Sequence, residues 1–329
     1  MTAIGWYVHH HGHGHLARFL AVRPHLDARV VALSSLPRPT GLPAGAEWIE
    51  LPRDDHDEGE GAPALASPTA GGSLHWAPLR HRGHARRLAA IAALAPELDA
   101  MVVDVSVEVT ALARLLGLPV VLVAQPGERT DAPHALGRRL AEAIVAPWPT
   151  PAGDPTGSPF EHVGGISRHA GRPRTAAARP GTVLALGGGA HDPEWTALVA
   201  AAAGASGRTW RIAGAGAWLD DPWTALCEAE VVVTAAGQNA IADVAAAGAR
   251  AVVLPRPRPF AEQRATATLL GGLGLAVVAD DLPDAGGLER LVDAAAALEP
   301  DWTGWGVEGA AARLAAVVAR VARTGRVAA

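Results

Sequence analysis

The stretch from Val231 to Gln263, VVVTAAGQNAIADVAAAGARAVVLPRPRPFAEQ, limits what this chain can fold into more than any other. Three β-branched residues, Val231 to Val233, run into the small-residue turn Thr234-Ala235-Ala236-Gly237, after which Ile241, Val244 and Ala245 recur at helical spacing. Gly248 ends the helix, and Ala251 to Leu254 reads as a second apolar strand closed by Pro255. Strand, tight loop, helix and strand make a βαβ unit. An Ala/Gly loop at a helix N-terminus lets backbone N–H groups approach an anion, and the helix dipole adds partial positive charge, so a phosphate is the natural guest. Asp243 lies too far into the helix to cap it, and its carboxylate is placed to accept from two sugar hydroxyls. Phosphate plus vicinal diol points to a nucleotide; the plain alternative is an ordinary βαβ unit with a solvated Asp.

The N-terminal strand, Ile4 to Val8, runs straight into His9-His10-His11-Gly12-His13-Gly14-His15, and the helical segment Leu16 to Val22 follows. Glycine interruptions and a position between strand and helix exclude a purification tag. Two readings stay open on these residues. Imidazoles are good metal ligands, although no acidic or cysteine partner is adjacent. Gly12-x-Gly14-x-x-Ala17 also satisfies the loose dinucleotide fingerprint, but the second strand, Arg29 to Leu33, ends in Ser34-Ser35 and lacks the acid that would hold a ribose.

The pattern of the first half recurs later in the chain. Thr182 to Leu186 is a strand, and Gly187-Gly188-Gly189-Ala190-His191-Asp192-Pro193 puts a capping Asp192 and a first-turn Pro193 at the next helix. Pro147 to Arg174 is dense in Pro, Gly and Ser and serves as the linker. The expectation is two Rossmann-like α/β domains, residues 1–165 and 166–329, facing one another across a cleft. Parallel strands put their ligand-binding ends on one edge, so Asp104, Ser106, Glu108, Gln125, Glu128 and Arg129 should share the cleft with His15. Asp104 would orient the imidazole. Arg256 and Arg258 lie just after this βαβ unit as sources of positive charge. Arg53 to Gly72 reads as a long loop, of a length that often covers a ligand. Arg80, His81, Arg82, His84, Arg86 and Arg87 lie on a helical stretch, either as a solvated basic face or as a contact for lipid headgroups or an anionic acceptor.

Composition excludes several classes. No run approaches the ~18 apolar residues of a membrane span, and the start, MTAIGW, lacks a secretory n-region, which gives a cytoplasmic expectation. The single Cys227 excludes an internal disulfide and a cysteine-based zinc cluster. A net charge of −5 and 4% aromatic residues argue against nucleic acid as a partner. All 28 basic residues are Arg, which removes both a Walker-type lysine and Schiff-base chemistry.

The order Ala236-Gly237-x-Asn239-x-x-x-Asp243, then Gly248, Leu254-Pro255-x-Pro257 and Glu262-Gln263, resembles the donor-binding signature of GT-B glycosyltransferases. It is most similar to family 28, which includes the UDP-N-acetylglucosamine transferase of peptidoglycan lipid synthesis. The resemblance implies that Ala236, Gly237 and Gln238 hold the diphosphate, with Asn239 in the same turn. It further implies that Asp243 binds the ribose, where the family more often has Glu, and that Glu262 and Gln263 contact the donor sugar. Gly188 and Gly189 would help seat the diphosphate, and Trp218 or Leu219 would touch the nucleobase. Gly14 and His15 match the glycine-rich N-terminal loop and its histidine, although the family has mostly Gly where this chain has His9, His10, His11 and His13. The final helix, about 307–323, would pack back on the first domain. The implied activity is inverting, metal-independent sugar transfer from a nucleoside-diphosphate sugar, foremost a UDP-sugar, to a small-molecule or lipid-linked acceptor, with no cofactor. His15 would act as general base, since an imidazole titrates near neutrality. A nucleotide-sugar hydrolase or epimerase, a non-catalytic nucleotide binder and an NAD-dependent enzyme are the rivals.

Overall fold

The computed structural model describes residues 1–54, 67–151, 158–187, 192–214, 219 and 221–327. Seven strands form the first sheet: β1 (Ala3–Val8), β2 (Arg29–Ser34), β3 (Ala46–Glu50), β4 (Ala100–Asp104), β5 (Val120–Val123), β6 (Ala143–Ala146) and β7 (Phe160–His162). Five more form the second: β8 (Arg179–Leu186), β9 (Thr209–Ala213), β10 (Ala229–Thr234), β11 (Arg250–Val253) and β12 (Val277–Val278). The orders are β3-β2-β1-β4-β5-β6-β7 and β12-β11-β10-β8-β9, and every pairing is parallel.

Helices α1 (Gly14–Val22), α2 (Arg82–Leu94), α3 (Val107–Leu115) and α4 (Ala132–Leu140) accompany the first sheet. With the second run α5 (Pro193–Ala205), α6 (Trp223–Glu228), α7 (Gln238–Ala247), α8 (Glu262–Gly272) and α9 (Ala285–Ala296), and α10 (Ala310–Val327) follows them in the chain. A parallel sheet covered on both faces needs strands that are apolar throughout, and all six residues of β1 are buried. Trp6 and Val8 pack with Phe19 of α1 and with Leu314 and Val318 of α10; Tyr7 points the other way, to Ile91 of α2 and Val109 of α3. In the second sheet Val232 and Val253 pack against Ile241 and Leu270, while Val231 and Val252 pack against Trp195 and Val292. Helix α10 thus lies on the first sheet, where Arg313 Nε and Nη2 donate to the Val163 carbonyl at 3.0 and 2.7 Å.

Topology decides where the site falls. In the first sheet the chain winds outward from β1 through β3 and then restarts at β4 on the other side of β1, so the loop after β1 and the end of β4 open a crevice. Val8 pairs with Asp104 at that edge. The second sheet has its reversal between β8 and β10, with Leu186 opposite Thr234. The sequence did not announce β3, β6, β7, α4, α6 or α8. Strand β7 is three half-buried residues, Phe-Glu-His, on a sheet edge, and α4 carries Pro133 and Gly137, which blur helical spacing. The basic stretch divides. Arg80, Arg82 and Arg86 are exposed, but the Arg87 guanidinium is 1% exposed and donates to the Tyr7 hydroxyl, Ser35 Oγ and the Pro52 carbonyl. No described helix is long and apolar enough to cross a membrane.

Candidate active site

A cleft of about 2050 Å³ is lined by the C-terminal edges of both sheets. The start of α1 meets the start of α7 across it: a Cβ on Gly14 would lie 2.6 Å from Asn239 Nδ2, so the two turns approach closely. His15, in the first turn of α1, lines the cleft, and its Nδ1 lies 2.9 Å from Asp104 Oδ1. The same oxygen accepts from Arg18 Nη1 at 2.6 Å. Asp104 is fully buried, which alone would raise its pKa, but Arg18 and His15 hold it below the usual carboxylate value. Behind it Val105 adopts φ 55, an outlier for a β-branched residue, and turns the chain so that Ser106 Oγ caps α3 by accepting from Val109 N.

The remaining imidazoles find separate places. His9 and His11 line the cleft; the pKa of His9 is held down to about 3 by burial and by His15, His10 and His11. His10 is buried, 3.3 Å from Arg87 Nη2 and 3.6 Å from Asp54. His13 is the exposed residue that precedes α1. The metal-capable trio among the described residues lies elsewhere, at His75, Asp131 and His134, with ligand atoms within 4.8 Å of one another. Asp131 there caps α4 by accepting from His134 N and contacts His134 Nδ1 at 2.8 Å. Arg129 Nη1 is 2.9 Å from His134 Nε2. A guanidinium only donates, so Nε2 accepts and the proton sits on Nδ1, facing the carboxylate: the arrangement of a cap rather than of a metal ligand.

On the opposite wall α7 has Gly237 as its N-cap, no side-chain cap and no acid in its first turn, leaving its N–H groups to the cleft. Ala236, Gly237, Gln238, Asn239, Arg258, Glu262 and Gln263 all line it, as do Ser106, Glu108, Gln125, Glu128 and Arg129 from the first sheet. Glu262 Oε2 is 3.4 Å from Arg129 Nη2, and Gln263 Oε1 accepts from Arg256 N at 2.9 Å.

Other sequence candidates stand apart from the cavity wall. The Arg256 guanidinium is turned to Asp192 at 2.7 Å and Glu194 at 3.0 Å, which ties it to the start of α5. Asp243 is half-buried beside the linker, where its Oδ1 accepts from Ser167 Oγ at 2.5 Å. Burial pushes its carboxyl up to about 6, against the pull of Ser167 and Arg168. Leu219 packs on the core of the second sheet. Gly188, Gly189 and Trp218 lie outside the described residues. Sequence reasoning passed over Arg18 and Ser167. Arg18 falls one turn after His15 on α1, a spacing that could have flagged it, whereas nothing local marks Ser167.

The chain matches no protein-family model and no curated protein. Solved structures do match over nearly its whole length. It is similar to MurG of Acinetobacter baumannii, with TM-score 0.67 and 18% identity over 97% of this chain and 100% of that one. UGT2 of Phytolacca americana, complexed with UDP-2-fluoroglucose and pterostilbene, gives TM-score 0.63 and 17% identity over 97% and 94%. The spinosyn rhamnosyltransferase SpnG, complexed with thymidine diphosphate, gives 0.60 and 17% over 98% and 96%. Two parallel α/β domains, opposed at their switch points and matched end to end by these proteins, are the GT-B fold of glycosyltransferases.

Proposed function

We propose that this protein is an inverting glycosyltransferase that moves a sugar from a nucleoside-diphosphate donor, a UDP-sugar first, to an acceptor hydroxyl. The observation that carries the reading is the pairing, across one cleft, of the His15–Asp104 dyad with the uncapped N-terminus of α7. His15 Nε2 takes the proton of the acceptor hydroxyl while Asp104 holds the ring through Nδ1. The oxygen then attacks the anomeric carbon from the face opposite the leaving group. The C–O bond to the diphosphate breaks as the new bond forms, and the configuration inverts. Negative charge grows on the departing diphosphate, where the α7 N–H groups and Arg258 meet it. No step requires a metal ion or a cofactor.

Asp243 is assigned to the ribose, and Glu262 and Gln263 to the sugar. UDP and thymidine diphosphate bound in structures of the same fold support a nucleotide donor. The likeness to MurG and the motif from Ala236 to Gln263 support kinship with family 28. A soluble donor of this kind fits a cytoplasmic enzyme. The test is a thermal-shift screen of UDP-, TDP- and GDP-sugars against NAD and NADP, followed by NMR of the product anomer with and without EDTA. A stabilising nucleotide sugar and an inverted product that survives chelation are expected. Preference for NAD, or labelled oxygen from water entering the sugar whatever acceptor is offered, overturns the reading.

A further inference from the structure

Arg18 lines the cleft, and the reaction above leaves it without a task. It belongs to the first domain, is 3% exposed, and crosses to the second: Nη2 donates to Oε1 of Gln238, the first residue of α7, at 3.0 Å. Its Nη1 shares a single carboxylate oxygen with His15. Arg18 Nε and Gln238 Nε2 are both buried and have no hydrogen-bond partner among the described residues. Buried donors without acceptors are costly unless a ligand completes them. Both residues line the cleft at the uncapped start of α7. Arg256, nearer in sequence to the donor loop, is already held by Asp192 and Glu194.

We infer that Arg18 is a donor-binding residue supplied by the opposite domain: its guanidinium, with the Gln238 amide, binds the diphosphate of the nucleotide sugar and carries part of the leaving group's charge. The inference rests on the reading of the cleft as a nucleotide-sugar site. It also gives the two domains a shared ligand, since a diphosphate at α7 engages the group that contacts the His15–Asp104 pair.

The experiment compares UDP with uridine by titration calorimetry on the wild type, Arg18→Gln and Arg18→Lys. Arg18→Gln should weaken UDP by about tenfold or more, the effect of losing a charge-assisted hydrogen bond, leave uridine unchanged, and be largely restored in Arg18→Lys. In the wild type, the Arg18 Nε–H NMR signal should move on adding UDP and stay in place with uridine; this reading does not depend on the Gln variant folding. Unchanged UDP affinity in Arg18→Gln, equal weakening of UDP and uridine, or a still Nε–H signal in UDP-saturated protein overturns the inference while leaving the donor reading intact. A wild type that binds neither UDP nor TDP overturns the donor reading and, with it, this role.

Discussion

Asp104 Oδ1 contacts an imidazole and a guanidinium at once, and the two contacts separate by substitution. His15→Gln keeps the fold and the neighbouring charges, so UDP affinity should hold while turnover falls about 10²- to 10⁴-fold, the usual worth of a general base; steady-state kinetics beside calorimetry checks this. Asp104→Asn instead leaves Arg18 buried without its counter-charge and should cost about 3–5 kcal/mol in urea unfolding. Asp243 behaves in the opposite sense. Its folded-state value, about 6, lies above the ordinary carboxylate value because burial disfavours the charge. The stability it contributes is therefore complete below the unfolded value of 3.8, falls as pH rises through about 6, and is flat beyond. The displacement corresponds to about 3 kcal/mol at most. Asp243→Asn should flatten the stability profile between those limits. Ribose hydroxyls donate to the ionised form, so uridine, which has no phosphate titrating in this window, should bind more tightly as pH passes 6, and the Asn variant should lose that dependence.

Backbone at the cleft is less relaxed than the elements it joins. Phe260 and Ala261, immediately before α8, both lie in the left-handed region at φ 60 and 52. Such a conformation costs an L-residue about 1–2 kcal/mol, and glycine avoids it at an entropic cost of about 0.5–1 kcal/mol. Ala261→Gly should thus stabilise the protein by up to about 1 kcal/mol in denaturant unfolding; a loss would mean that the Ala methyl makes contacts worth more than the strain. This pair shows where the sequence could be read and where it could not. The unit β10–α7–β11 was legible because apolar runs, a small-residue turn and Gly248 all mark one local conformation. The meeting of His15 and Asp104 was legible because both lie at the C-terminal ends of neighbouring parallel strands, Asp104 closing β4 and His15 following β1. Positive φ at Phe260 has no local signature, since Arg-Pro-Phe-Ala reads as ordinary loop. The contact of Arg18 with Gln238, 220 residues apart, exists only because two domains approach. Ser167 reaches Asp243 through the path of a linker that has no period.

At the scale of the whole molecule the domains are in contact beside the cleft, and the contact is glycine-dependent. Glu128 N donates to the Phe260 carbonyl at 2.7 Å, and Gly127, at φ 106, lies where a Cβ would be 2.1 Å from that oxygen and 3.0 Å from the Glu262 Cα. Both obstacles are backbone, so no rotamer change relieves them. Gly127→Ala should therefore push the first sheet away from the start of α8 and lengthen the distance between His15 and a sugar held on the second domain. Misplacement of about 1 Å is enough to cost about a hundredfold in rate, while a nucleotide bound mainly by the second domain need not sense it. The expected result is a transfer rate lowered by about tenfold or more, with UDP affinity changed far less. Gly117→Ala is the control, because Gly117 also has positive φ, at 80, but faces open space, so it carries the backbone strain without the collision. If both variants lose rate equally, strain rather than domain approach is responsible. If Gly127→Ala alone loses rate at constant UDP affinity, catalysis depends on the approach of the two halves.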